Sequence, residues 1–391
     1  MTDVYEAYAL SLLRRMIEIN TTNPPGQEAA LAAMLVQELQ GIGICAQLQP
    51  VAENRANVIA RIPGKTKGST LALTGHLDVV AAGEGWTSDP FCMGVRDGRV
   101  FGRGVCDMKG GIAAQITAVK KLIEQGATLQ GDLLLAFVAD EETNSLGLKQ
   151  FLTAGGRADY AIIGEPTSLR LNTCHKGVTR LLVTVYGRGG HAARPYDSVN
   201  PIEKSLYVIN GVQHVNQKLQ KHVHALLGTA SATVTMIHAG NKGNVIPSEC
   251  VLKIDRRLLP GETAGQARKE LIDAIEYAGK QDETFRYTVK TYLTTLPGEV
   301  DSESPLVTMA TEVLESLTKS PCVPCAFDGC CEQTTWQQMG TDTIVLGPGN
   351  LLQAHTANEF LDVEQLRLAI DCYAMLVQRV LRNEPREKSL S

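Results

Sequence analysis

Four short apolar runs constrain this chain more than any other feature. Thr70 to Leu73, Asp132 to Ala139, Tyr160 to Ile163 and Thr343 to Leu346 read as buried strands. Each empties into a loop carrying ionisable residues: His76, the Glu141-Glu142 pair, Glu165 and, beyond Gly347-Pro348-Gly349, His355. Between the runs, apolar residues fall at helical spacing, as in Ile112 to Glu124 and Leu146 to Thr153. Strands alternating with helices make an α/β domain whose mixed, mostly parallel sheet is flanked by helices. Ligands of such sheets gather outside the carboxyl ends of the strands, so the four loops are expected at one rim.

The stretch Thr74 to Gly111 adds two carboxylates. His76 and Asp78 stand where a strand ends, and Asp107, in Cys106-Asp107-Met108-Lys109-Gly110-Gly111, stands where a helix begins. By itself this stretch fits a hydrolytic zinc site and a capping Asp beside a surface His about equally. The long loop between, Val79 to Arg103, is rich in Gly, Asp and Pro, with Trp86 as its anchor. Loops of that length inside a compact domain usually serve function.

Charge decides between the two readings. Asp107, Glu141, Glu142 and Glu165 at one rim cannot all stay ionised without compensation. Two divalent cations remove the conflict. Asp107 can bridge them, His76 and Glu165 can complete one ion, and Glu142 and His355 the other. Carboxylates and imidazoles without thiolate suit zinc, with cobalt or manganese as alternatives. A hydroxide bridging two such ions is a nucleophile at neutral pH. Glu141 is left over beside a ligand, the natural place for a general base that passes a proton to the leaving nitrogen. Asp78 fits a carboxylate that accepts the His76 N–H and fixes the ring, or else a turn residue.

The 391 residues exceed what one core usually supports. From 175 to 294 the pattern changes to β-α-β-β-α-β, a ferredoxin-like unit inserted into a catalytic domain made of 1–174 and 295–391. The net charge of -5 offers no footprint for nucleic acid, and no apolar run approaches the ~20 residues that span a bilayer. Met1 to Asn20 reads as an amphipathic helix, not a signal peptide. Ten scattered cysteines suit a reducing cytoplasm, and the lone Cys322-Val323-Pro324-Cys325 lacks a second pair for a zinc ribbon. The polar tail after Asn383 is expected to fray.

Taken together, Gly75-His76-Leu77-Asp78, Gly102-Arg103-Gly104 through Gly111, Asp140-Glu141-Glu142, Gly164-Glu165-Pro166, Gly190-His191 and Gln353-Ala354-His355 resemble the acetylornithine deacetylase / succinyl-diaminopimelate desuccinylase family of metallo-amidohydrolases and peptidases. The resemblance implies a di-zinc catalytic domain with a smaller lid that dimerises. It implies the ligand and base assignments above. In the lid, it implies that His191 stabilises the oxyanion in the partner subunit's site, that Arg257 holds a substrate carboxylate, and that Asn244 is a further substrate contact. Cys330-Cys331-Glu332 replaces a Gly-Thr-rich substrate loop of many members. That form, with Leu346-Gly347-Pro348-Gly349, is closer to the acetylornithine deacetylases.

The expected activity is therefore hydrolysis of the amide bond of an N-acyl amino acid by a cytoplasmic homodimer. A dipeptidase or carboxypeptidase is the same chemistry on a peptide. A catalytically silent binding protein would have lost a ligand or the base, and neither is missing.

Overall fold

The computed structural model describes residues 3–382, so the tail after Asn383 lies outside the described residues. The chain divides into two compact units, 1–173 with 299–391, and 174–298. Among the described residues no helix is long and apolar enough to cross a membrane.

The first unit is a mixed α/β structure. At the centre of its sheet, Asp132–Val138, Thr70–His76, Tyr160–Ile163 and Asp342–Val345 lie side by side and run parallel. Arg55–Ile62 and Ala46–Ala52 extend one side antiparallel, and Asn172–His175 joins antiparallel beyond Asp342–Val345. The central strands are buried along almost their whole length, as strands covered on both faces must be. Their register decides where the loops begin. His76 pairs with Val138, Thr74 with Ile163, and Ile163 with Val345, so all four strands end within two residues of one level.

Helices cover both faces. Val4–Glu18 starts with Asp3 capping the Tyr5 N–H, and its buried stripe Ala9, Leu12, Leu13, Met16 and Ile17 joins the main core. Lys109–Glu124 is buried over most of its length and packs against Val363–Val380. It sits unusually close to the sheet. A Cβ on Gly111 would lie 2.2 Å from the Gly164 carbonyl, and one on Gly347 would lie 2.3 Å from the same oxygen. Glycine at these positions lets helix and strand ends meet backbone to backbone.

The loop after Thr70–His76 is less irregular than its composition suggests. It folds a hairpin, Gly94–Arg96 with Arg99–Phe101, and Phe360–Asp362 pairs onto it. Arg99 lies over the Phe360 ring and Trp86 donates its indole N–H to the Ala82 carbonyl. Strands this short carry too few residues to show a period.

The second unit has a four-stranded antiparallel sheet in the order Ser231–Ala239, Glu249–Leu258, Gly177–Tyr186, Arg286–Thr295. Pro201–Leu219 and Ala264–Gly279 pack together on one face, around Leu181, Val183, Val185, Val208, Val212, Leu271 and Ile275. Each helix opens on a side-chain cap, Asn200 for one and Thr263, in a capping box with Gln266, for the other.

Candidate active site

The rim of the parallel strands collects the expected residues of the first unit. His76 is the last residue of its strand and is 2% exposed. Its Nε2 lies 3.1 Å from Asp107 Oδ1 and 3.6 Å from Glu165 Oε1. The other oxygen of Asp107 faces a second imidazole, with His355 Nε2 3.3 Å away, and that nitrogen is 3.2 Å from Glu142 Oε1. Asp107 thus stands between two clusters and presents one oxygen to each. His355 adopts a left-handed backbone, with φ 63°, a conformation uncommon outside glycine though His takes it more readily than most.

These separations, which span hydrogen-bond distance and slightly beyond, also suit donors gathered around a metal. Two donors bound ~2.1 Å from one tetrahedral zinc are roughly 3.4 Å apart. Ligand atoms of His76, Asp107 and Glu142 all lie within 4.8 Å of one another. The electrostatics point the same way. Burial alone would lower the His76 pKa, but Asp107 and Glu165 raise it well above the ordinary value. Hydrogen bonds to Asp107 and Glu142 push His355 up to about 10. Burial, then the Asp107 charge, raise Glu165 well above the carboxylate range. The imidazoles are being asked to carry positive charge for their neighbours, which is the service a divalent cation would render. Two nitrogens and three carboxylates form a hard donor set suited to zinc, cobalt or manganese.

Glu141 follows Asp140, which is held at φ 73°. Removal from water raises its carboxyl well above the usual range, against the pull of His76, with Glu142, Glu332 and Asp78 adding to the rise. Asp78 does something other than the sequence suggests. The His76 Nδ1 is 2.9 Å from the Asp78 backbone carbonyl and 3.7 Å from its carboxylate. The carboxylate instead accepts the backbone N–H groups of Glu141 and Glu142, each at 3.1 Å. The strand ends at His76, so the Asp78 carbonyl, two residues on, lies outside the sheet and within reach of the ring.

Two more buried carboxylates join this rim: Glu359, which the sequence does not single out, and Glu332, which it offers only as part of the Cys330-Cys331-Glu332 loop. Glu359 is 0% exposed and accepts the N–H groups of Gly104, Cys106 and Asp107 at 2.8–3.1 Å, with Arg103 at 2.5 Å. It lies four residues after His355, and that offset within a turn was its only signal. Glu332 is 5% exposed, and burial pushes its carboxyl up to about 8. It follows Cys331, a buried residue whose thiol burial pushes well above its ordinary value, the setting of a structural cysteine.

The second unit holds the other three expected residues. His191 is exposed and pairs with Val245, and the Asn244 carbonyl accepts the Ala192 N–H at 3.0 Å. His191 also helps line a cleft of about 640 Å³ with His238 and Asn241. Arg257 lies apart from them. It sits near the far end of Glu249–Leu258, and its Nε donates to Asp255 at 2.8 Å.

A profile of the peptidase family M20/M25/M40 matches residues 72–379. The acetylornithine deacetylases of Salmonella newport and Salmonella enteritidis are each 33% identical over 348 residues, 87% of this chain and 88% of the relative. Solved structures share the fold at lower identity. A tripeptidase from Staphylococcus aureus superposes with a TM-score of 0.81 at 19% identity, covering 97% of this chain and 99% of its own. A dinuclear metal-binding peptidase from Bacillus subtilis gives 0.74 at 19%, covering 97% and 99%. Human carnosine dipeptidase 1 gives 0.74 at 16%, covering 97% of each.

Proposed function

The chain belongs to the peptidase family M20/M25/M40, a family of metallopeptidases and amidohydrolases, and on that footing we propose that it removes the acyl group from an N-acyl amino acid, as its acetylornithine deacetylase relatives are named for doing. One observation carries the reading: the two oxygens of Asp107 face two different imidazoles, at 3.1 and 3.3 Å. A carboxylate shared between two donor clusters suits a pair of cations rather than a single one.

In this reading His76, Asp107 and Glu165 would hold one divalent ion, and Asp107, Glu142 and His355 the other, with zinc the proposed metal and cobalt or manganese the alternatives. Bound there, the ions would polarise the scissile carbonyl and make water nucleophilic at neutral pH. Glu141 takes the proton of the attacking water at its carboxylate and delivers it to the leaving nitrogen, so water and amide become acid and amine. Its raised pKa suits a group that must accept and then donate. Asp78 holds the turn that carries Glu141, through the two N–H groups it accepts.

The unit 174–298 is proposed to act as a lid and dimerisation domain. His191 would stabilise the oxyanion, while Arg257 and Asn244 would hold the substrate. Glu249 and Arg257, at opposite ends of one strand, are ~26 Å apart at ~3.3 Å per residue, and His191 belongs to the Glu249 end. One small substrate cannot reach both ends of one lid, and Asn244 lies beside His191, so the reading calls for a homodimer in which the partner subunit's His191 and the partner subunit's Asn244 complete each site. The strand Ser231–Ala239 is an edge with Met236 and Ile237 half exposed, a surface ready for a second chain. None of the ten cysteines forms a disulfide among the described residues, which fits the cytoplasm proposed as its compartment.

The test is a substrate panel with purified, zinc-loaded protein: acetylornithine, other N-acetyl and N-succinyl amino acids, and dipeptides. Acyl release should dominate, vanish with EDTA and return with zinc. Equal activity with and without metal would remove the mechanism, and a preference for dipeptides would move the reading to a peptidase.

A further inference from the structure

The turn that carries Glu141 and Glu142 belongs to no strand or helix. Asp140 and Ser145 at its ends both adopt left-handed backbone, at φ 73° and 52°. The turn is held by Asp140, whose backbone carbonyl takes the Asn144 and Ser145 N–H groups, and by Asp78, whose two oxygens take the Glu141 and Glu142 N–H groups. Asp78 in turn is held from a distant part of the chain. Asn23 donates its side-chain N–H to Asp78 Oδ2 at 2.8 Å and to Asp140 Oδ1 at 3.0 Å. One amide thus ties the residue that supports the turn to the residue that opens it.

Arg55 fixes that amide. Its guanidinium donates to the Asn23 carbonyl oxygen at 2.5 Å, to the Pro25 carbonyl at 3.0 Å, and to Asp140 Oδ1. The orientation of Asn23 is therefore unambiguous, with oxygen toward the cation and nitrogen toward two carboxylates. The backbone is zipped as well: Asn23 N–H donates to the Val79 carbonyl at 2.9 Å, and Val79 N–H to Thr21 at 3.1 Å. Asn23, Arg55, Asp78 and Asp140 are at most 8% exposed. Gly26 leaves the room that Arg55 fills, since a Cβ there would lie 1.8 Å from its guanidinium.

We propose that Asn23 and Arg55 are positioning residues that set the Glu141–Glu142 turn for catalysis, acting through Asp78 and Asp140. The catalytic part rests on the hydrolase reading above. Neither residue reaches the substrate; each determines where the base stands. Displacement of a catalytic group by an ångström can cost roughly 100-fold in rate.

Asn23→Ala tests this with two independent readings. In hydrogen-exchange mass spectrometry, the segment 140–146 should exchange about tenfold faster, while 70–76 and 132–138 stay as protected as in the wild type. In steady-state kinetics kcat should fall roughly 10–100-fold with KM little changed. Arg55→Lys should give a weaker version of both, and it carries the test if Asn23→Ala is not recovered folded. Unchanged exchange in 140–146 overturns the proposal, as does faster exchange spread through the whole core. A loosened turn with wild-type kcat overturns it too. If the wild-type protein itself cleaves nothing in the panel, it is the hydrolase reading that has failed, and exchange still judges the network.

Discussion

The carboxylate of Glu359 accepts the backbone N–H of Asp107 at 3.1 Å. That contact joins two segments more than 250 positions apart, one bearing Asp107 and the other bearing His355 four residues upstream of Glu359. The same carboxylate is paired with Arg103, which is anchored over Trp86. Glu359→Gln keeps the shape but removes the charge that gathers these N–H groups. Metal affinity should fall roughly 10–100-fold, as it does when groups that orient ligands are lost. Chelator-competition titration measures it. Unchanged affinity would mean the loop around Asp107 holds itself.

Glu141→Ala separates base from ligand. The variant should bind as much metal as the wild type, by elemental analysis, while turnover falls about 10²–10⁴-fold. Loss of metal together with activity would make Glu141 a ligand. Unimpaired turnover would end its role as the base.

Glu28 predicts a pH dependence of stability. It is fully buried, 3.6 Å from Arg55 Nε, and burial pushes its carboxyl up to about 7, with backbone bonds and Arg55 opposing and Asp78 adding. The folded state therefore keeps this proton to a higher pH than the unfolded chain, which releases it near 4.5. The stability so gained is complete below about 4.5 and is lost as pH climbs through 7. Glu28→Gln has no proton to lose. Relative to wild type, the variant should gain about 1–3 kcal/mol between pH 5 and pH 8. Urea unfolding at the two pH values checks it, and a constant difference would show that Arg55 compensates the charge fully.

The proposed homodimer makes a prediction that no single chain could satisfy. His191→Ala and Glu141→Ala should each be nearly inactive alone. Mixed and allowed to exchange subunits, they should recover part of the wild-type activity, because one site in a mixed dimer has both groups intact. No recovery in a mixed dimer confirmed by native mass spectrometry would place His191 in its own chain's site or outside the chemistry.

Most of the residues that the structure brings to one rim were legible because they follow a short apolar run, and Asp107 because it stands where a helix begins. His76, Glu142 and Glu165 need only a strand, its length and the direction of a parallel sheet. His355 needed more, since its turn intervenes after the last strand. Asn23, Arg55 and Glu359 could not be read this way. Their partners are backbone N–H groups and buried carboxylates supplied by other segments, so nothing local distinguishes them from a turn Asn, a strand Arg or a surface Glu. Asp78 shows the same limit at the scale of one residue. Its position was legible, but the His76 ring meets its backbone carbonyl, while its carboxylate takes two N–H groups of the next turn. The hairpin Gly94–Arg96 with Arg99–Phe101 was hidden because its strands are shorter than any period can register.

Gly111 and Gly347 approach one carbonyl, that of Gly164, from two elements. The scaffold beneath the rim is therefore welded at its narrowest gauge and tolerates no added methyl group there. Any redesign of the site above it should leave that seam untouched.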